Sequence, residues 1–111
     1  MNECVRSITD EEFESEVLQH DGAVVVDFYS PHCPPCHRMS PVLDSICAER
    51  HDLKLVKLNI ADHPLVAQTL GFQYVPHFIL YFLGQPVAEF HGERSKDNFA
   101  RWVDDNLARV K

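Results

Sequence analysis

The stretch "AVVVDFYSPHCPPCHRMSPVLDSI", Ala23 to Ile46, decides the fold. Its opening, "AVVVDFY", is β-branched and nearly continuous, which suits a central strand buried on both faces. Met39, Val42, Leu43 and Ile46 then recur at helical spacing, so a long helix follows the strand. Pro41 lies inside that helix and is expected to kink it. Cys33 and Cys36 sit where strand gives way to helix, with prolines between them and histidines on either flank.

Working outward, "LKLVKLNI", Leu53 to Ile60, alternates as a second strand parallel to the first, which demands a right-handed crossover. Upstream, "TDEEFESEVLQH" opens with a capping box of Thr9 and Glu12, and Phe13, Val17 and Leu18 have helical spacing. Cys4 falls in an expected edge strand. Downstream, "HPLVAQTLGF" reads as a short helix ended by Gly71 at its C′ position. "HFILYFLGQPVAEFHG" reads as a hairpin turning over Leu83 to Pro86. "SKDNFARWVDDNLARVK" starts at a Ser95 N-cap and carries Phe99, Trp102, Val103 and Leu107 on one face. With no linker or internal repeat, residues 1–111 form one α/β domain: a mixed sheet with helices on both faces.

Composition narrows the function. A formal charge of −7 argues against nonspecific nucleic-acid binding, which rests on Lys and Arg neutralising phosphates. No apolar run approaches the ~20 residues of a membrane span. The start, "MNECVRSITDEEFESEV", has neither the basic nor the apolar region of a signal peptide, so a cytoplasmic location is expected. Four unevenly spaced cysteines are too few for a disulfide framework. Cys47, on the apolar side of the long helix, reads as a small buried hydrophobe. Neither it nor Cys4 receives a role.

Cys33 is placed to do chemistry. A helix N-terminus carries roughly half a positive charge and unpaired N–H groups. A sulfur at the N-cap can accept the Cys36 N–H, which favours the thiolate, and the thiolate is the nucleophile. Cys36, one turn further in, is expected to be less exposed and to resolve. Pro34 and Pro35 are tolerated at the first helical positions but delete two donors that a thiolate could use. A metal clamp of Cys33, Cys36 and two of His32, His37 and His77 would lack the second ligand pair usual for structural zinc, so no metal is assigned. Asp27, inside an apolar run, is either satisfied by backbone or a buried carboxyl of raised pKa that could exchange a proton with Cys36.

These residues, with Pro35, Pro41, Lys57, Gly71, Pro76, Gly84 and Gly92 in order, resemble the thioredoxin family over roughly Ile8 to Leu107. The resemblance implies a thioredoxin fold and a protein-disulfide reductase working through a Cys33–Cys36 disulfide couple, with no cofactor. It implies Asp27 as proton relay, with Lys57 beside it. It implies Pro76 as a cis-proline lying against the cysteines. The substrate surface would then be formed by Pro34, Pro35, Val75, Pro76 and Gly92, with the Val75 backbone pairing to an extended substrate. Disulfide-bearing proteins would be substrates, a thioredoxin-reductase-like enzyme or small thiol the reductant, and the chain a monomer without nucleic-acid or membrane partners. His32, Pro34, His37 and His77 depart from the family's Trp, Gly, Lys and Thr, and the three histidines are candidates for tuning the thiolate. A disulfide oxidase or isomerase, or a peptide-binding module of the same fold, is the alternative.

Overall fold

The structure, a computed structural model, describes residues 4–111. Its centre is β2 (Ala23–Tyr29), in which Val24, Val25, Val26 and Phe28 are wholly buried. The run is continuous because both faces of the strand are covered, so every side chain meets apolar neighbours. β2 pairs in parallel with β3 (Leu53–Asn59) and antiparallel with β4 (His77–Phe82). Two edge strands complete the sheet: β1 (Arg6–Ile8) beside β3, and β5 (Gln85–His91) beside β4. The spatial order is β1-β3-β2-β4-β5. The expected mixed α/β sheet is the one observed.

Helices cover both faces. α1 (Pro34–Glu49) and α3 (Lys96–Ala108) pack one side, where Met39, Leu43, Ile46, Phe99, Trp102 and Val103 meet Val25, Leu55 and Phe78. On the other side Phe13, Val17, Ala67 and Phe72 meet Val24, Val26, Phe28 and Leu58. α1 continues through Pro41, whose ring stays exposed on the outer side. α2 (Leu65–Leu70) ends at Gly71 in the left-handed conformation, as its sequence implied. Its first N–H groups donate to the Asp10 carboxylate, 3.0 and 3.1 Å from Leu65 and Val66. That cap comes from a residue far upstream in the chain. Among the described residues no helix is long and apolar enough to cross a membrane.

Three local readings change. The capping box forms, with Thr9 N–H to Glu12 Oε1 at 3.0 Å and Glu12 N–H to Thr9 Oγ1 at 3.2 Å. The helix behind it, however, is a short π-type turn over Glu14–Leu18, and Leu18 stays exposed. The hairpin reverses over Leu83 and Gly84 alone, at φ 52° and 81°, and Pro86 already belongs to β5. Proline is accommodated there because β5 is an edge strand. The largest change concerns the cysteines. Cys47 is not free: it forms a disulfide with Cys4, which precedes β1 rather than lying in it. The two are 43 positions apart, and only the docking of β1 beside β3 and of α1 above the sheet brings them together.

The hairpin turn makes a stability prediction. A Cβ on Gly84 would run into the carbonyl oxygen of Leu18, and its φ is left-handed; at Gly71 the φ is similar but the space is open. In urea unfolding, Gly71→Ala should cost about 1 kcal/mol for the backbone alone. Gly84→Ala should cost about 2–3 kcal/mol, backbone plus collision. Equal costs would show that the Leu18 contact yields freely.

Candidate active site

The sheet delivers the site at one end. β2 runs out at Tyr29, and a short loop carries the chain to Cys33, the N-cap of α1. The Cys36 N–H donates to Cys33 Sγ at 3.2 Å. Pro34 and Pro35 occupy the first two helical positions, where no intrahelical N–H is needed. Cys33 and Cys36 are joined as a disulfide with Cα atoms 5.2 Å apart. Both are 7% exposed, so Cys36 is not the more buried of the two. In the bonded state each sulfur screens the other, and exposure does not rank them.

β4 runs antiparallel to β2, so its start lies at the same end of the sheet as the finish of β2. The Val75–Pro76 peptide bond, at the head of β4, is cis. The Pro76 carbonyl accepts the Gly92 N–H at 2.9 Å, which fixes the loop after β5 against it. Gly92 has φ 93° and open space around its α-carbon. Val75 is half-buried, and its backbone makes no hydrogen bond among the described residues.

Asp27 lies beneath the cysteines on the α1 side of the sheet. It is 5% exposed, and its Oδ1 has no hydrogen-bond partner among the described residues. A cavity of about 200 Å³ joins it to Cys36, His37, Ser40, Tyr29, Ser30 and Lys57. Burial pushes the Asp27 carboxyl up to about 7, and the charge of Lys57, its register partner on β3, pulls the other way. A carboxyl poised near neutrality can hold or release a proton beside Cys36. Ser40 was legible in principle, since it follows Cys36 by one helical turn.

The three histidines separate. His32 is exposed beside Cys33. His37 is exposed, and its ring nitrogen lies 2.7 Å from the Pro31 carbonyl, bracing the loop. His77 is 4% exposed and turns to the sheet face opposite Asp27, its ring 4.1 Å from that of Phe72. Neither ring nitrogen has a hydrogen-bond partner among the described residues, and burial lowers its pKa despite Glu89 at 3.8 Å. The structure therefore keeps His32 and His37 beside the cysteines and sets His77 apart from them. Among the described residues no cluster of His, Cys, Asp and Glu is suited to a metal ion. A contact that sequence gave no sign of is the forked ion pair from Arg38 to Glu93, with N–O distances of 2.6–3.0 Å. It ties the first turns of α1 to the segment after Gly92.

The buried carboxyl sets a stability slope. Folding raises the Asp27 pKa from 3.8 to about 7, so between those values the folded chain holds a proton that the unfolded chain releases. Stability therefore falls as pH rises through this window, by up to ~4 kcal/mol in total, the penalty being complete only above the folded value. Asp27→Asn should be more stable than the parent at about pH 8, with the advantage shrinking toward about pH 4. Denaturant titrations at both pH values check this; an advantage independent of pH would mean that Asp27 ionises normally.

Comparison with known proteins agrees with this geometry. The family model described as Thioredoxin matches residues 4–105. A thioredoxin of Porphyra purpurea is 38% identical over 84 residues, covering 75% of this chain and 78% of its own. Thioredoxin 1 of Synechococcus elongatus is 35% identical, with 91% and 95% covered. A thioredoxin of Pseudomonas aeruginosa is 34% identical, with 96% and 100% covered. A disulfide at a helix N-cap, a cis-proline at the same sheet end and a buried carboxyl below thus occur in a chain that belongs to the thioredoxin family and is a thiol–disulfide oxidoreductase.

Proposed function

We propose that Cys33 is the attacking sulfur of a protein-disulfide reductase, that Cys36 resolves, and that Asp27 is the base for Cys36. The observation that carries this reading is the Cys36 N–H aimed at Cys33 Sγ from the first turn of α1. The same N–H and the helix dipole favour a thiolate on Cys33 once the disulfide is reduced. That thiolate attacks one sulfur of a substrate disulfide. A Cys33–substrate bond forms, the substrate S–S bond breaks, and the first substrate thiolate leaves. Asp27 takes the Cys36 proton through the shared cavity. The Cys36 thiolate then attacks Cys33 Sγ, the mixed disulfide breaks, and the second substrate thiolate leaves. Two electrons have passed to the substrate and Cys33–Cys36 is oxidised. A thioredoxin-reductase-like enzyme or a small thiol returns the pair to the dithiol.

Substrate docking has a matching surface. The half-buried Val75 offers unpaired backbone groups beside cis-Pro76, which supports the addition of an extended peptide there. In this reading Pro34, Pro35 and Gly92 join the docking surface, and the Gly92 N–H bonded to the Pro76 carbonyl supports the last of them. Lys57 acts on the carboxyl rather than on the substrate, by holding the Asp27 anion accessible near neutral pH. His32 and His37 act on the thiolate only by charge, when protonated. The chain works as a monomer in the cytoplasm, on disulfide-bearing proteins.

Two outcomes test the roles. In an insulin-reduction assay Cys33→Ser should abolish turnover, and Cys36→Ser should accumulate mixed disulfides; sustained turnover by Cys36→Ser would remove Cys36 from the resolving role. In single-turnover experiments, resolution of the mixed disulfide should accelerate as pH rises through about 7, where Asp27 ionises. Asp27→Asn should flatten that rise and slow resolution roughly 10²-fold, the lower end for a general base. An unaltered pH profile would exclude Asp27 as the base.

A further inference from the structure

Beyond the catalytic pair, the chain carries its second disulfide, Cys4–Cys47, at the far end of α1. Cys36 and Cys47 are separated along one helix by about 16 Å, at 1.5 Å per residue. The two bonds therefore cannot exchange within one molecule. The two sulfurs of the second bond also differ. Cys4 is exposed, whereas Cys47 is 6% exposed and sits in the apolar cluster with Val5, Leu43 and Ile46. Attack on a disulfide needs access to one sulfur, and the other departs as thiolate. Cys4 is the more exposed half of the bond. Cys47 would depart into apolar surroundings, which disfavour the anion and slow the step.

What the bond holds is also plain. β1 has three residues and pairs with β3 alone, Arg6 opposite Val56, Ser7 opposite Lys57 and Ile8 opposite Leu58. Val5 and Ile8 anchor it in opposite faces of the core. The bond to Cys47 is its one covalent tie to α1.

We propose that Cys4–Cys47 is a second thiol–disulfide exchange site, entered by an external thiolate at Cys4 with Cys47 leaving, and that its opening loosens β1 from the sheet edge. A thiolate attacks Cys4 Sγ, a mixed disulfide forms on Cys4, and the Cys4–Cys47 bond breaks to give the Cys47 thiolate, which takes a proton from water. A second thiol displaces Cys4. The net change is two external thiols oxidised to one disulfide and Cys4–Cys47 reduced to two thiols. The attacking thiolate is a low-molecular-weight thiol or the Cys33 of another copy.

The first arm uses the full chain carrying Cys33→Ser and Cys36→Ser, so its outcome is independent of the catalytic roles proposed above. Folded protein is treated with reduced glutathione, quenched in acid, alkylated and mapped by peptide mass. The expected result is glutathione on Cys4 and alkylation on Cys47. In a second arm the same protein is mixed with a Cys36→Ser copy. A trapped Cys33–Cys4 bond between copies identifies the protein as a competent attacker, and its absence beside a glutathione adduct assigns the site to small thiols. Amide hydrogen exchange over Arg6–Ile8 should speed at least about tenfold on reduction, while Val24–Phe28 stays protected. Glutathione on Cys47, a bond that opens only in denaturant, or unchanged exchange across β1 would overturn the proposal.

Discussion

The burial of β2 on both faces is the constraint on which the rest of the molecule depends. A strand with neighbours on either edge and helices above and below cannot shift its register without exposing valine on one side and losing it on the other. It is therefore a rigid rail. Its end places Cys33, its interior holds Asp27, and its antiparallel neighbour starts with Pro76 at the same end. The proposed mechanism uses these three at one place, although they are spread over some fifty positions of sequence. The alternation of the pleat does the final sorting: Asp27 faces the helix that bears the cysteines, and Phe28 and His77 face away.

Electrostatics in the site follow from that rigidity. Asp27 is paid for in stability because burial disfavours its charged form, and the charge of Lys57 only partly offsets the loss. A flexible site would admit water or let the carboxyl turn outward. Above it, the loop is stiffened by two prolines, by the His37 ring against the Pro31 carbonyl and by the Arg38–Glu93 fork. An exposed ion pair of that kind contributes at most about 1 kcal/mol to stability. Its effect is on orientation, since it fastens the start of α1 to the segment beyond the cis-proline loop.

Much of this was legible in the residues, where a local rule acts alone. "AVVVDFY" announced a doubly covered strand, Gly71 a helix end, Thr9 with Glu12 a cap, and Ser95 another. Cys33 could be placed at a helix start because prolines follow it and helical spacing follows them. The resemblance supplied the cis bond at Pro76, which sequence physics would have set trans. What stayed hidden depends on distant packing. Cys47 looked like a small core side chain, which its surroundings indeed resemble, and nothing near it pointed to Cys4. His77 looked like a partner of the cysteines until the pleat turned it under Phe72. The shorter hairpin turn was missed because Pro86 argues for a turn unless β5 is known to be an edge.

α1 has a sulfur bridge at each of its ends, and only one of them belongs to the catalytic loop. Two electron pairs can thus be stored on a single rod without draining into each other. Two bridges allow four redox forms rather than two, and each bridge lies at its own pole of the molecule.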